Sequence, residues 1–282
     1  MTARRVRLDL ELVRRGIFAS RRQAQEAVEG GRVLVGGAVA ERPSRLVAPG
    51  EPVEAIGVPR RFVSRGGEKL DAALDAFGLN VSGVVALDAG ASTGGFTDCL
   101  LRRGAAVVIA VDVGHGQLDS RLRDDERVVV FERTHVRDLT LDRVARSVPA
   151  RPGPVDLVTA DLSFISLAAV VPALAGPIVR DGAGLILLVK PQFEAGRKEA
   201  SRGRGVIRDP ALWLAALRAV GSSLEACGAV IMGAVRSPLT GASGNVEFFV
   251  HAVAHPAPGS APPAAPGSTD QFFRDAVAAS AD

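Results

Sequence analysis

Cysteine, lysine and long apolar runs are all scarce in this 282-residue chain, and each scarcity removes a class of protein. Cys99 and Cys227 are the only cysteines, far apart and without metal-type neighbours, so neither a disulfide framework nor a zinc site is expected, and no metal is called for. Such a chain suits a reducing cytoplasm. The longest apolar run, Leu167–Val179, is broken by Pro172 and Pro177, and the basic N-terminus runs into Asp9 and Glu11 instead of an apolar stretch. Neither a membrane span nor a signal peptide is expected.

Lysine is rarer still. Of 34 cationic residues, 31 are Arg and the lysines are Lys69, Lys190 and Lys198 alone. Where Arg supplies solvated charge by default, each remaining Lys invites a reason, and a titratable amine is one that Arg cannot replace. The overall charge is a modest +3, with 47% hydrophobic and 23% charged residues, as in an ordinary globular protein. Its distribution is uneven: Met1–Leu70 holds 14 Arg or Lys against 8 Asp or Glu. That asymmetry points to a polyanion partner for the N-terminal part, nucleic acid before membrane.

Along the chain, Arg7–Arg15 reads as a short amphipathic helix stopped by Gly16. Ser20 with Gln23 forms a capping box for a second helix ended by Gly30-Gly31, and RVLVGGAVA gives a strand, a glycine turn and a returning strand. Pro49, Pro52 and Pro59 with Gly50 and Gly57 then mark a boundary. The expected organisation is a small domain over 1–58, a linker over 59–64, a larger domain over 65–254 and a Pro/Ala-rich tail over 255–282 with one short helix near Gln271–Ala279. Lys69–Phe77 has the spacing of a helix with Lys69 at its start.

Strand-like runs at Val84–Asp88, Ala106–Asp112, Val128–Glu132, Val155–Asp161, Gly184–Lys190, Ala229–Val235 and Val246–Val253 alternate with helix-length stretches, except between the last two. This pattern predicts an α/β fold: a Rossmann-like, doubly wound, seven-stranded sheet ending in an antiparallel pair, beside a small α+β N-terminal domain. The turn Gly90–Gly95 follows the first strand, where open α/β sheets bind ligands. Asp112 ends the second strand, placed to accept hydrogen bonds from ribose hydroxyls. The glycine spacing at Gly90, Gly94 and Gly95 fits neither the dinucleotide fingerprint nor a P-loop. Asp161 and Lys190 end adjacent parallel strands, so both can face one acceptor.

The segment RLDLELVRRGIFASRRQAQEAVEGGRVLVGG closely resembles the RNA-binding module named after ribosomal protein S4. The resemblance implies phosphate contacts from Arg21, Arg22 and Arg32, joined by Arg4, Arg5 and Arg7, with Arg65 beyond the module. The segments DAGASTGGFTDCLL, VDVGHGQL, ADLSFISL, LVKPQFEAGR and SGNVEFF resemble the TlyA family of ribosomal RNA ribose 2′-O-methyltransferases, whose catalytic domain is of the FtsJ type. The likeness spans roughly Arg4–Val253.

The resemblance implies S-adenosylmethionine as cofactor, ribosomal RNA or ribosomal subunits as partner, no membrane, and a monomer. It implies a catalytic set of Lys69, Asp161, Lys190 and Glu247. It also implies cofactor contacts from Asp88, Gly90, Ala91, Ser92, Thr93 and Gly94 at the methionine end, Asp112 at the ribose, and Thr134 and His135 on the adenine side. A ribose hydroxyl is a poor nucleophile at neutral pH and must share or lose its proton as it attacks, so Lys190 is the expected group to orient or deprotonate it. Two other readings are a noncatalytic RNA-binding assembly factor and a membrane-active haemolysin. The four chemical residues argue against the first, and the missing apolar segment against the second.

Overall fold

A computed structural model describes residues 5–18, 20–48, 50–57, 61–148, 153–195, 205–241, 243–256 and 269–280. The chain divides into two compact units, Met1–Arg61 and Phe62–Asp282. In the first, helices Leu8–Arg14 and Arg21–Glu29 bury Leu8, Leu12, Ala24, Ala27 and Val28 against Val33 and Val35. Strand β1 (Val6–Arg7) pairs with β4 (Leu46–Val47), and β2 (Val33–Val35) pairs with β3 (Ala38–Val39) and β5 (Val53–Ala55). Ser20 caps the second helix by accepting the Gln23 N–H at 3.3 Å. Gly36 and Gly37, with φ of 60° and 82°, supply the left-handed pair that a two-residue hairpin turn between β2 and β3 demands.

The second unit is built on a seven-stranded sheet. Its strands are β6 (Val85–Ala89), β7 (Val107–Val111), β8 (Val128–Phe131), β9 (Val155–Ala160), β10 (Val179–Val189), β11 (Val230–Arg236) and β12 (Phe248–Val253). They lie in the order β11-β12-β10-β9-β6-β7-β8, and β12 runs antiparallel to both neighbours. This is the predicted doubly wound sheet. The chain moves outward from β6 through β7 to β8 and then returns to β9 on the other side, so the switch point lies between β6 and β9. Both faces are covered, which is why Leu87, Ile109, Leu185 and Phe248 are fully buried and the strands read as apolar runs. Each such side chain contributes about 1.5–3 kcal/mol.

Three elements differ from expectation. The helix containing Lys69 spans Arg65–Ala76, capped by Ser64, so Lys69 sits in its second turn and not at its start. Gly66 and Gly67 look like breakers in sequence, yet a Cβ on Gly67 would come within 2.4 Å of the Phe62 side chain and 2.9 Å of the Gly95 carbonyl; close packing requires glycine there. The stretch 59–64, expected as linker, is in its second half part of the larger unit: Phe62 is buried, and the Val63 N–H donates to Asp98 at 2.8 Å. Strand β10 begins at Val179, five residues early, because an irregularity between Val179 and Gly184 lets it rejoin β9.

The helix Thr269–Ala278 packs on β11 and on helix Pro210–Ala226. Phe273 fills the notch left by Gly221, whose Cβ would lie 2.8 Å from its ring, and Asp270 receives Arg218 and Arg274 at 2.7 Å each. Residues 257–268 of the expected tail, like Lys198, lie outside the described residues.

Candidate active site

Strands β6, β9 and β10 all end at one edge of the sheet, and the chemistry-bearing residues gather there. Gly90 has φ of +84°, and a Cβ on it would stand 2.7 Å from the Asp161 carbonyl, so the turn after β6 passes directly over the end of β9. Ser92 and Gly94 are also left-handed, at φ of 49° and 95°. A Cβ on Gly94 would meet Leu122 at 2.2 Å. The helix Gly95–Arg102 then starts with its free N–H groups facing the turn.

Asp112 braces this turn. Its Oδ2 accepts the Ser92 N–H at 2.8 Å and its Oδ1 the Gly114 N–H at 2.6 Å. Below the turn, Asp88 is fully buried; Oδ2 accepts the Thr97 hydroxyl at 2.6 Å and Oδ1 has no hydrogen-bond partner among the described residues. Burial, reinforced by the negative charges of Asp161 and Asp112 and opposed by Thr97, pushes its pKa up to about 7.

The two lysines each meet a carboxylate. Lys190 Nζ lies 2.6 Å from Asp161 Oδ1 and donates to Ser163 Oγ at 2.8 Å. Lys69 Nζ donates to Glu247 Oε2 at 2.6 Å, with both groups buried. Gly241 makes room for this carboxylate, since a Cβ there would be 2.5 Å from Glu247 Oε1. Continuing the β10–β12 ladder past Val189↔Phe248 sets Lys190 opposite Glu247, so the sheet register brings the two ion pairs side by side.

A cleft of about 530 Å³ opens beside the Lys190–Asp161 pair, bounded by Gly90, Ser92, Asp112, Thr134, His135 and Asp161. An adjoining recess of about 170 Å³ is bounded by Thr93 and Lys190 and shares Gly90, Ser92, Asp161 and Ser163 with the cleft. Ala91 and Thr93 border the recess, whereas Asp88, beneath the turn, and Gly94, within it, border neither space. Thr134 donates its hydroxyl to the Glu132 carbonyl at 3.0 Å, and His135 Nδ1 accepts the Arg137 N–H at 3.1 Å.

Motif reading passed over two side chains. Ser163, the second partner of Lys190, stands two residues after Asp161 in ADLSF; Thr97 holds Asp88. Glu132 pins the 114–117 loop through the Gly116 N–H at 2.8 Å and His115 Nδ1 at 2.6 Å, and also binds Arg123. Arg123 chiefly holds its pKa below the usual carboxylate range.

The basic residues fall into classes. Arg5, Arg22 and Arg32 are exposed, with Arg22 paired to Glu26 at 2.9 Å. Arg7 and Arg21 are tied to the buried Asp9, each at 2.9 Å, and Gln25 joins them at the same distance. The Arg7 guanidinium, ahead of Gln25 and Arg21, holds the Asp9 carboxyl well below the usual range. Arg65 donates to the Thr240 carbonyl at 2.6 Å, in the loop that leads to Glu247. Arg4 lies outside the described residues.

The family model for FtsJ-like methyltransferases matches residues 62–253, and the S4 domain model matches residues 6–53. The chain belongs to the FtsJ-like methyltransferase family. This FtsJ-like methyltransferase is 49% identical over 249 residues to the 16S/23S rRNA (cytidine-2′-O)-methyltransferase TlyA of Mycobacterium tuberculosis H37Rv, covering 88% of this chain and 90% of that one. It is 37% identical over 246 residues to the protein named Hemolysin A of Brachyspira hyodysenteriae, covering 87% and 99%. A solved structure of a Streptococcus thermophilus protein described as a hemolysin matches with 36% identity and a TM-score of 0.70 over 97% of this chain and 96% of that one. Among the described residues of the methyltransferase, no helix is long and apolar enough to cross a membrane.

Proposed function

We propose that this methyltransferase transfers the methyl group of S-adenosylmethionine to the ribose 2′-hydroxyl of cytidine in ribosomal RNA. The observation that carries the reading is the Lys190–Asp161 pair, 2.6 Å apart and bordering the recess that opens off the larger cleft. The similarity to the mycobacterial rRNA cytidine-2′-O-methyltransferase supplies the substrate class.

The residues present fit such a cofactor. The cleft falls in the size class of small-molecule sites, and Gly90 leaves open the space that a Cβ would take from the Asp161 carbonyl. Each Asp112 oxygen accepts one backbone N–H, leaving lone pairs free to accept from ribose hydroxyls. Gly90, Ala91, Ser92 and Thr93 would hold the methionine end, with Gly94 shaping the turn and Asp88 supporting it from beneath; Thr134 and His135 would border the adenine. When bound, S-adenosylmethionine supplies a sulfonium-activated methyl group.

Lys190 directs a lone pair of the 2′-oxygen at that methyl carbon, and Asp161 holds the ammonium in place and balances its charge. With the cofactor bound, Lys190 would take up the hydroxyl proton while passing one of its own to the Asp161 carboxylate, which would end as the protonated group and leave the 2′-oxygen free to attack the methyl that the cofactor supplies. Lys69 and Glu247 complete a charge-balanced surround opposite Lys190. The same reading takes the enzyme to be a monomer acting on ribosomal RNA in the cytoplasm. Arg5, Arg21, Arg22 and Arg32 of the S4 unit are exposed and bring RNA phosphates to the enzyme.

The test is label transfer from methyl-tritiated S-adenosylmethionine to ribosomal subunits or rRNA prepared from cells lacking this gene. Nuclease digestion should release labelled 2′-O-methylcytidine. Label on a base, or none, would overturn the reading.

A further inference from the structure

Two segments leave the sheet beside the reacting groups, and they touch at three points in the same order along both. The first, Asp161–Ala169 after β9, has no regular secondary structure. The second, Lys190–Glu194 after β10, is one short helical turn. Lys190 meets Asp161 and Ser163 at 2.6 and 2.8 Å. Phe193 meets Phe164 with ring centroids 5.4 Å apart. Glu194 meets the far end of the loop: Oε1 accepts the Leu167 N–H at 2.6 Å, and Oε2 accepts the Ser166 hydroxyl at 2.7 Å and the Ala168 N–H at 3.4 Å.

An irregular loop must place its backbone N–H groups somewhere, and here one carboxylate takes two of them. The same loop holds Phe164 at φ of +65°, a conformation a bulky residue keeps only when its surroundings over-determine it. The Phe164 side chain is 92% exposed, so its own packing cannot supply that constraint. On one side of Phe164 the loop is pinned to Lys190 through Ser163, and on the other to Glu194. Glu194 is absent from every candidate site role above, although it closes the KPQFE segment that begins with Lys190.

We infer that Glu194 is a positioning residue for methyl transfer: its carboxylate fixes the Asp161–Ala169 loop so that Ser163 Oγ holds the Lys190 ammonium in the orientation the acceptor hydroxyl needs. The inference rests on the methyl-transfer function proposed above. It concerns how Lys190 is aimed, and Glu194 does not touch the reacting atoms. Reach matters more than charge in this role. Glutamine at 194 keeps an oxygen within range of the Leu167 N–H, whereas aspartate keeps the charge but is one methylene too short.

Three variants test this, with Ser163→Ala as a fourth, each first shown to melt within a few degrees of wild type. Glu194→Ala and Glu194→Asp should lower kcat about 10- to 100-fold, the range in which small misplacements of reacting groups act, with little change in the KM for RNA. Glu194→Gln should recover most of that loss. Because Glu194 acts through Ser163, the double variant Glu194→Ala/Ser163→Ala should be no slower than the slower single variant. A second readout does not depend on turnover: hydrogen exchange of a peptide spanning Ser166–Ala169 should speed up in Glu194→Ala and stay unchanged in Ser163→Ala. Multiplying kinetic losses, an Asp variant as active as the Gln variant, or unchanged exchange would each overturn the inference. An inactive wild type would instead overturn the proposed function, whereas an active wild type with a fully active Glu194→Ala removes this inference alone.

Discussion

Lys69 and Glu247 stand 178 residues apart in the chain and 2.6 Å apart in the fold, Nζ to Oε2, with side chains only 10% and 3% exposed. Removing one partner leaves the other charge buried and uncompensated, which costs about 3–5 kcal/mol. Lys69→Met should therefore lower Tm by roughly 10 °C. Lys69→Met/Glu247→Gln, which leaves no lone charge, should recover most of that loss in thermal melts yet remain inactive in methyl transfer.

Lys190→Ala removes the group aimed at the acceptor while leaving the walls of the larger cleft in place. Methyl transfer should fall by about 10³-fold or more. Isothermal titration should give a Kd for S-adenosylmethionine within about threefold of wild type, since an amine that aims the acceptor adds little to ground-state cofactor binding.

Asp88 gives the fold a pH dependence of a definite sign. Its pKa is about 7 in the folded protein against an ordinary 3.8, so the folded state binds the proton more tightly than the unfolded state. The associated stability is fully present below about pH 4 and is lost as pH rises through 7. Asp88→Asn cannot ionise. Between pH 5.5 and 8.5, urea denaturation of the wild type should lose about 2 kcal/mol relative to that variant.

Gly90 allows the turn after β6 to lie against the end of β9. Gly90→Ala would put a methyl group 2.7 Å from the Asp161 carbonyl at a φ of +84°, displacing the turn, Asp161, or both. Cofactor affinity by titration and kcat should both drop, each about tenfold or more.

The S4 unit separates two kinds of arginine. Arg32→Ala should weaken RNA binding and reduce the salt slope of log K by about one, without moving Tm. Arg7→Ala also removes the first partner of the buried Asp9, so it should lower both RNA affinity and Tm.

Much of the architecture is legible in residue order because each strand of a sheet covered on both faces must be an apolar run, and seven such runs are present. The segment 65–67 misled for a local reason. Glycine is a poor helix former in isolation, and the approach of Phe62 and Gly95 explains why Gly66 and Gly67 lie inside the helix instead of ahead of a start at Lys69. Early β10 was hidden in the same way, since Val179–Gly184 is irregular and contains exposed Arg180 and Asp181.

At the site, scarcity of lysine singled out Lys69 and Lys190, and strand ends singled out Asp161 and Asp112, because those inferences need only chemistry and position along the chain. Nothing in residue order says that Lys190 takes Asp161 and Ser163 while Lys69 takes Glu247, or that Arg7 and Arg21 converge on Asp9. The sequence by itself determined the succession of elements, the left-handed turn after β6 and the supply of titratable groups. Tertiary structure alone decided the pairings. They depend on the antiparallel register of β10 with β12, which sets Lys190 opposite Glu247, and on the return from β8 to β9, which lays Asp161 beneath Gly90. Register is chosen by the burial of whole strand faces, a property that no local stretch of sequence carries.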